Sequence, residues 1–332
     1  MNRYETKIAR MAAGTDTRAD FILADAKDAD MAAGISAMGR NRTTDDLSPY
    51  RCREGYLDDI RAMLELDVVD IMLVSASTLE TLVHEGAFNG SRVQPAIRAN
   101  DTTDLWRGRG SPYTTQRSVP FRSASLAGAQ TRLGLYSMTF NGDAEHDAHA
   151  LECFRSFRED AQAHGFSYFL EVFNPNEGRI AQSDWGVFLN DMIVRALAGL
   201  RQAERPEFLK IPFNGAAALS ELCAFDPRMV VGIMGGSSGT TRDCLELLHQ
   251  AQACGARAAL FGRKIVDADD PLLLIQVMRH VTDGDLLPEE ATCFYHDALA
   301  RKGRHAARPL GADRCITEGT LLDGPVSMGA LG

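Results

Sequence analysis

The sequence predicts an α/β fold, a closed (β/α)8 TIM barrel with extended βα loops and a C-terminal extension. Three observations lead there: eight short apolar runs recur along the chain, amphipathic helical stretches lie between several of them, and no linker rich in Pro, Gly or Ser divides the series.

In order, the runs are FILADA (21–26), VVDIMLVS (68–75), VQPAI (93–97), LGLYSMTF (133–140), YFLEVF (168–173), FLKIP (208–212), MVVGIM (229–234) and AALFG (258–262). Two of the intervening stretches, DAEHDAHALECFRSFREDAQAHG (143–165) and TTRDCLELLHQAQACG (240–255), are amphipathic and end at a glycine suited to a left-handed cap. Strands that alternate with helices pair in parallel through right-handed crossovers, because a parallel partner is reached only by a long connection. Eight such units suggest closure into a barrel; an open doubly wound sheet is the alternative if a run is miscounted. The chain, 1–332, reads as one domain, with the barrel over about 20–283. LLPEEATCFYHDALARKG (286–303) reads as an added helix, and the tail from Arg304 as irregular cover or an oligomer contact.

Composition narrows the function classes. The 332 residues are 45% hydrophobic and 24% charged, values for a folded globular chain, and the formal net charge of -10 argues against a nucleic-acid or anionic-membrane partner. Seven cysteines, Cys52, Cys153, Cys223, Cys244, Cys254, Cys293 and Cys315, show no CxxC pair, so reduced thiols are expected rather than disulfides or a zinc knuckle. No signal peptide or membrane span is apparent, which leads to the expectation of a cytoplasmic protein in which the Asn41 and Asn89 glycosylation patterns are chance.

Two connections are too long for plain turns, 33–56 and 98–130, and both follow strand C-termini, where barrels of this kind build their sites. They carry Arg40, Arg42, Arg51, Arg53, Arg98, Arg107, Arg109, Arg117 and Arg122. Such a concentration in an acidic chain suits an anionic substrate, although solvated loops with incidental charge read equally well.

The chemistry centres on Lys210, set in the middle of the apolar run FLKIP. An ammonium is disfavoured inside a barrel, so a neutral amine is expected there, able to attack a carbonyl and form an iminium electron sink. A lysine that snorkels to the strand end or pairs with a core carboxylate is the alternative. Asp25, Lys27 and Asp28 in ADAKDADM and Glu171 in YFLEVFNP are expected to converge at the same mouth, as acid and base or as a structural ion-pair network. Gly235, Gly236 and Ser237 in GGSSGTT, with Gly262 and Arg263 in FGRKI, follow the seventh and eighth runs, a common place for a phosphate cradle, and Arg98 is a further candidate ligand. The glycines match neither a P-loop nor a dinucleotide fingerprint. His146 and His149 in EHDAH have a metal-compatible spacing, but a solvated helix start accounts for them, and neither metal nor cofactor is expected.

Together these residues resemble the class I (Schiff-base) aldolases of the archaeal-type fructose-bisphosphate, tagatose-bisphosphate and deoxyribose-phosphate-like group. The most specific segment is VVGIMGGSSGTTRDCLELLHQAQACGARAALFGRKIVDADDP (230–271), with its glycine pair, helix ending in Gly-Ala, Gly-Arg and later Asp-Pro. The resemblance implies that Lys210 forms the Schiff base, Glu171 is the strand-five acid/base, Asp25 is the strand-one aspartate and Lys27 its basic neighbour. It also implies that Gly235, Gly236, Ser237, Gly262 and Arg263 hold a phosphate. The chain departs from the archaeal branch in having Phe173 where that branch has a tyrosine, and in lacking a strand-one His-Gly. The implied function is a metal-independent lyase acting on a phosphorylated keto sugar or related anionic metabolite, in a homo-oligomer. A related acyl transferase or isomerase, a zinc-dependent aldolase and an inactive sugar-phosphate sensor are the alternatives.

Overall fold

The computed structural model describes residues 2–41, 49–236, 239–322 and 324. All eight runs are strands of one closed, all-parallel barrel: β1 (Ile22–Lys27), β2 (Ile71–Val74), β3 (Gln94–Arg98), β4 (Leu133–Thr139), β5 (Ser167–Phe173), β6 (Leu209–Ile211), β7 (Val231–Met234) and β8 (Ala258–Phe261). Neighbours in sequence are neighbours in the sheet, and β8 closes on β1. The expected helices span Ala144–Ala163 and Thr241–Ala253; Gly165 (φ +58°) and Gly255 (φ +99°) follow them in the left-handed region that L side chains rarely adopt.

Strand alternation divides the core in two. Ile22, Ala24, Ala26, Ile71, Leu73, Ala96, Leu133, Leu135, Phe169, Phe208, Ala258 and Leu260 form the cluster inside the barrel. Their chain neighbours, among them Leu23, Met72, Val74, Tyr136, Leu170, Leu209, Ile233 and Phe261, pack outward against the helices. The inside cluster is sealed at the strand N-termini by the helix Arg3–Ala13, which contributes Tyr4 and Met11. Tyr4 lies edge-on to Phe208, which stacks on Phe169 at 4.5 Å.

The same helix brings Arg3 and Lys7 to Asp70, a fully buried carboxylate that also receives Arg279 and the Leu23 amide. Burial alone would raise its pKa; the charges of Arg279, Lys7 and Arg3, with the Leu23 N–H, outweigh this and hold it below the usual range.

Of the two long connections, residues 99–132 fold into a small antiparallel pair, Asn100–Thr102 against Pro120–Arg122, over β3 and β4. The added helix is Pro288–Arg301, and the segment beyond it packs on the start of the helix Thr241–Ala253. Among the described residues no helix is long and apolar enough to cross a membrane.

Asp70→Asn should lower unfolding stability by about 3 kcal/mol in a urea titration at neutral pH, since three cations would lose their buried carboxylate. Because the folded-state pKa is depressed, the wild-type advantage should hold above the unfolded carboxylate pKa and fade as pH falls through the folded value.

Candidate active site

Parallel register sets Glu171 of β5 directly across from Ser137 of β4 on one side and Lys210 of β6 on the other. All three have the parity of Leu135, Phe169 and Phe208, so they point into the barrel, at its strand C-terminal end. Lys210 Nζ contacts Glu171 Oε1. Glu171 Oε2 accepts from Ser137 Oγ at 2.6 Å and lies 3.4 Å from Arg98 Nη2. Arg98, the last residue of β3, also donates from Nη1 to Ser137 Oγ (2.9 Å) and from Nε to Asp28 Oδ2 (2.6 Å). One array therefore runs Asp28, Arg98, Glu171, Lys210 with alternating sign, and each member is buried. Burial disfavours the Arg98 cation, but Asp28 and Glu171 overcome this and raise its pKa above the ordinary arginine value.

The array corrects two expectations from the sequence. Asp25 and Lys27 do not enter the mouth: Asp25 is in register with the outward-facing Met72 and Phe261, and Lys27 with outward-facing Val74. They lie between β1 and the helix Arg53–Leu66, where the Lys27 carbonyl accepts from Tyr56 Oη. Lys27 Nζ is 3.2 Å from Asp25 Oδ2, an ion-pair contact without hydrogen-bond alignment, and neither oxygen of Asp25 has a hydrogen-bond partner among the described residues. Burial raises the Asp25 carboxyl against the opposing charge of Lys27. The carboxylate that β1 does deliver to the mouth is Asp28, one step past the strand and on the inward parity of Ala24 and Ala26. Arg98 is likewise not free for a phosphate, since its guanidinium is occupied by Asp28, Ser137 and Glu171.

The glycine turn after β7 is shaped by close packing. A Cβ on Gly235 would lie 2.0 Å from Phe261 Cδ1, and one on Gly262 would lie 2.6 Å from the Ala26 carbonyl oxygen. Gly236 has φ +55°. A cavity of about 270 Å³ is lined by Phe213, Met234, Gly235, Gly236 and Arg263, and also by Glu318 of the C-terminal segment. Ser237 lies outside the described residues, as does Arg42.

Three amides at the start of the helix Thr241–Ala253 are taken up within the protein. Its capping residue Thr240 and first-turn residues Thr241 and Asp243 donate their N–H groups to Asp243, Asp313 and Thr240 Oγ1 respectively. Two arginines add positive charge at the rim. Arg263 and Arg107 retain exposed surface and have no carboxylate within 4 Å among the described residues. Partial burial lowers Arg263 to about 10, the nearby charge of Arg107 adding to the effect, and burial lowers Arg107 as well.

Most other arginines of the long loops are engaged within the protein. Arg51 pairs with Asp59, Arg117 with Asp143 and Glu177, and Arg122 with Asp160, while Arg109 lies over the Tyr50 ring. His146 is not solvated: its Nδ1 meets Asp147 and its Nε2 meets the Ser118 carbonyl, both at 2.9 Å, whereas His149 is exposed. Among the described residues no group of three or more His, Cys, Asp or Glu is arranged to hold a metal.

Sequence reasoning passed over Ser137, and it named Asp28 without preferring it over Asp25. Both continue the inward parity of their strands, Leu133–Leu135–Ser137 and Ala24–Ala26–Asp28, which was the available signal.

No protein-family model and no curated protein matches the sequence. Solved structures do match it in fold. One is an archaeal fructose-1,6-bisphosphate aldolase with its catalytic Lys covalently bound to the carbinolamine intermediate, with a TM-score of 0.61 and 16% identity over 85% of this chain and 100% of that one. Another is a fructose-bisphosphate aldolase from Slackia heliotrinireducens DSM 20476, with a TM-score of 0.64 and 14% identity over 89% and 90% of the two chains. The fold neighbours of this chain thus include archaeal Schiff-base fructose-bisphosphate aldolases.

Gly235→Ala should lower the melting temperature by several degrees, about 2 kcal/mol of overpacking against Phe261, with far-UV circular dichroism at low temperature unchanged.

Proposed function

We propose that this protein is a class I aldolase, forming or cleaving a C–C bond in a phosphorylated keto sugar or related anionic metabolite through an imine on Lys210. The observation that carries the reading is the inward Lys210 side chain, 8% exposed at the barrel mouth, in contact with a carboxylate from the next strand. The fold shared with Schiff-base aldolases supports it.

In this reading the Lys210 ammonium gives its proton to Glu171 and the neutral amine adds to the substrate ketone. Glu171 returns a proton to the carbinolamine hydroxyl, water departs and the protonated imine remains. The electron pair of the breaking C–C bond then flows into the iminium to give an enamine, as the hydroxyl on the adjacent carbon loses its proton and becomes the aldehyde. Glu171, in contact with Lys210, would take that proton, and Phe173 supplies no hydroxyl for the task. Asp28, rather than Asp25, would meet substrate hydroxyls, a role supported by its contact with Arg98 at the mouth. Arg263 and the turn at Gly235, Gly236 and Gly262 would receive the phosphate.

Borohydride added with dihydroxyacetone phosphate should leave a stable adduct on the Lys210 peptide, detected by mass spectrometry, and Lys210→Met should show neither adduct nor turnover. An unmodified Lys210 under these conditions refutes the imine. With the substrate so identified, Glu171→Gln should reduce kcat by about 10²- to 10⁴-fold. Arg263→Ala should mainly raise KM.

A further inference from the structure

Lys210 and Arg98 share one carboxylate. Glu171 offers Oε1 to the lysine and Oε2 to Ser137 and the arginine, and Arg98 is in turn held by Asp28 at 2.6 Å. The hold of Glu171 on Lys210 therefore depends on two groups that do not touch the lysine in this array.

We propose that Arg98 is a positioning residue that sets how tightly Glu171 holds the Lys210 ammonium, and so the pH at which Lys210 becomes a nucleophile. The inference rests on reading Lys210 as the reacting amine. A glutamate facing the lysine alone spends its whole charge on stabilising the ammonium. A second cation on the far oxygen lessens that hold: with part of the Glu171 charge engaged by Arg98, less of it favours the protonated form of Lys210. Asp28 tempers the effect by drawing Arg98 the other way.

The surroundings leave few competing charges. At the inward positions of β7 and β8 stand Gly232, Met234, Ala258 and Leu260, with Gly232 directly in register with Lys210. Leu73 is the inward residue of β2 nearest the mouth. From the connection after β3, Asp101 acts on Arg98 while accepting from Trp106 Nε1 at 3.0 Å. Asp30 receives the Ser75 hydroxyl at 2.5 Å, and Arg107 and Arg263 stand at the rim.

The arrangement requires that two neutralising substitutions act in opposite directions. Arg98→Met leaves the whole charge of Glu171 to Lys210, so the ammonium should persist to higher pH. Asp28→Asn releases Arg98 toward Glu171 and removes a negative charge from the array, so the amine should be freed at lower pH. Loosened packing would move both variants the same way. Arg98→Lys keeps the charge and should restore most of the wild-type behaviour.

The test needs no substrate. The full-length protein is treated with formaldehyde and cyanoborohydride across a pH series, and methylation of the Lys210 peptide is followed by mass spectrometry. The midpoint pH should rise by about one unit in Arg98→Met and fall in Asp28→Asn. Shifts of the same sign, or midpoints equal to wild type, overturn the proposal. If Arg98→Met does not fold, Asp28→Asn must still lower the midpoint, and a rise or no change overturns it. Opposite shifts with no ketose adduct trapped by borohydride would uphold this coupling while removing the aldolase reading.

Discussion

The pairing of β5 with β6 is the constraint on which the site depends. In a parallel ladder, residues in register face the same side, so setting Glu171 opposite Lys210 brings carboxylate and amine together inside the barrel. A slip of one residue would send the lysine into the helix layer and bring an apolar neighbour inward. The register is held by the apolar residues below, where Phe169 and Phe208, two residues earlier on each strand, stack face to face. The packing of the floor and the chemistry of the mouth are parts of one alternating pattern.

Two clusters of buried charge lie at opposite ends of the barrel. At the strand N-termini, Asp70 gathers Arg3, Lys7 and Arg279 and ties the covering helix to the sheet. At the opposite end, Asp28, Arg98, Glu171 and Lys210 balance to zero, with the apolar cluster between. Buried charges persist only when partnered, and both groups obey that rule. They differ in what they leave free: the lower group surrounds one carboxylate with cations, whereas the upper one ends in a single amine whose partner is shared.

The C-terminal segment contributes more than cover. Asp313 caps the Thr241 amide, and Thr317 and Glu318 bind Asp243, so the tail is tied to the start of the helix after the glycine turn. Near the turn, the guanidinia of Arg263 and Arg107 have no carboxylate within 4 Å among the described residues. An acidic protein with arginine-rich loops has little positive charge to spare: Arg51, Arg117 and Arg122 are paired with its own carboxylates.

The sequence by itself determined the eight strands, their parallel order, the added helix, and the prominence of Lys210 and Glu171. Those features are local: apolar runs, glycine stops and a charged residue inside a run do not depend on what lies elsewhere. Tertiary structure decided which charged residues meet. Asp25, Lys27 and Asp28 sit within four positions, and an eye for charge alone treats them alike, yet alternation sends the first two behind the sheet and the third into the mouth. Arg98 read as a free cation until β1 and β5 closed around it, and the Thr241 amide finds its acceptor in Asp313, 72 residues away. A side chain's partners are set by closure of the barrel, and closure brings together strands that no local window contains.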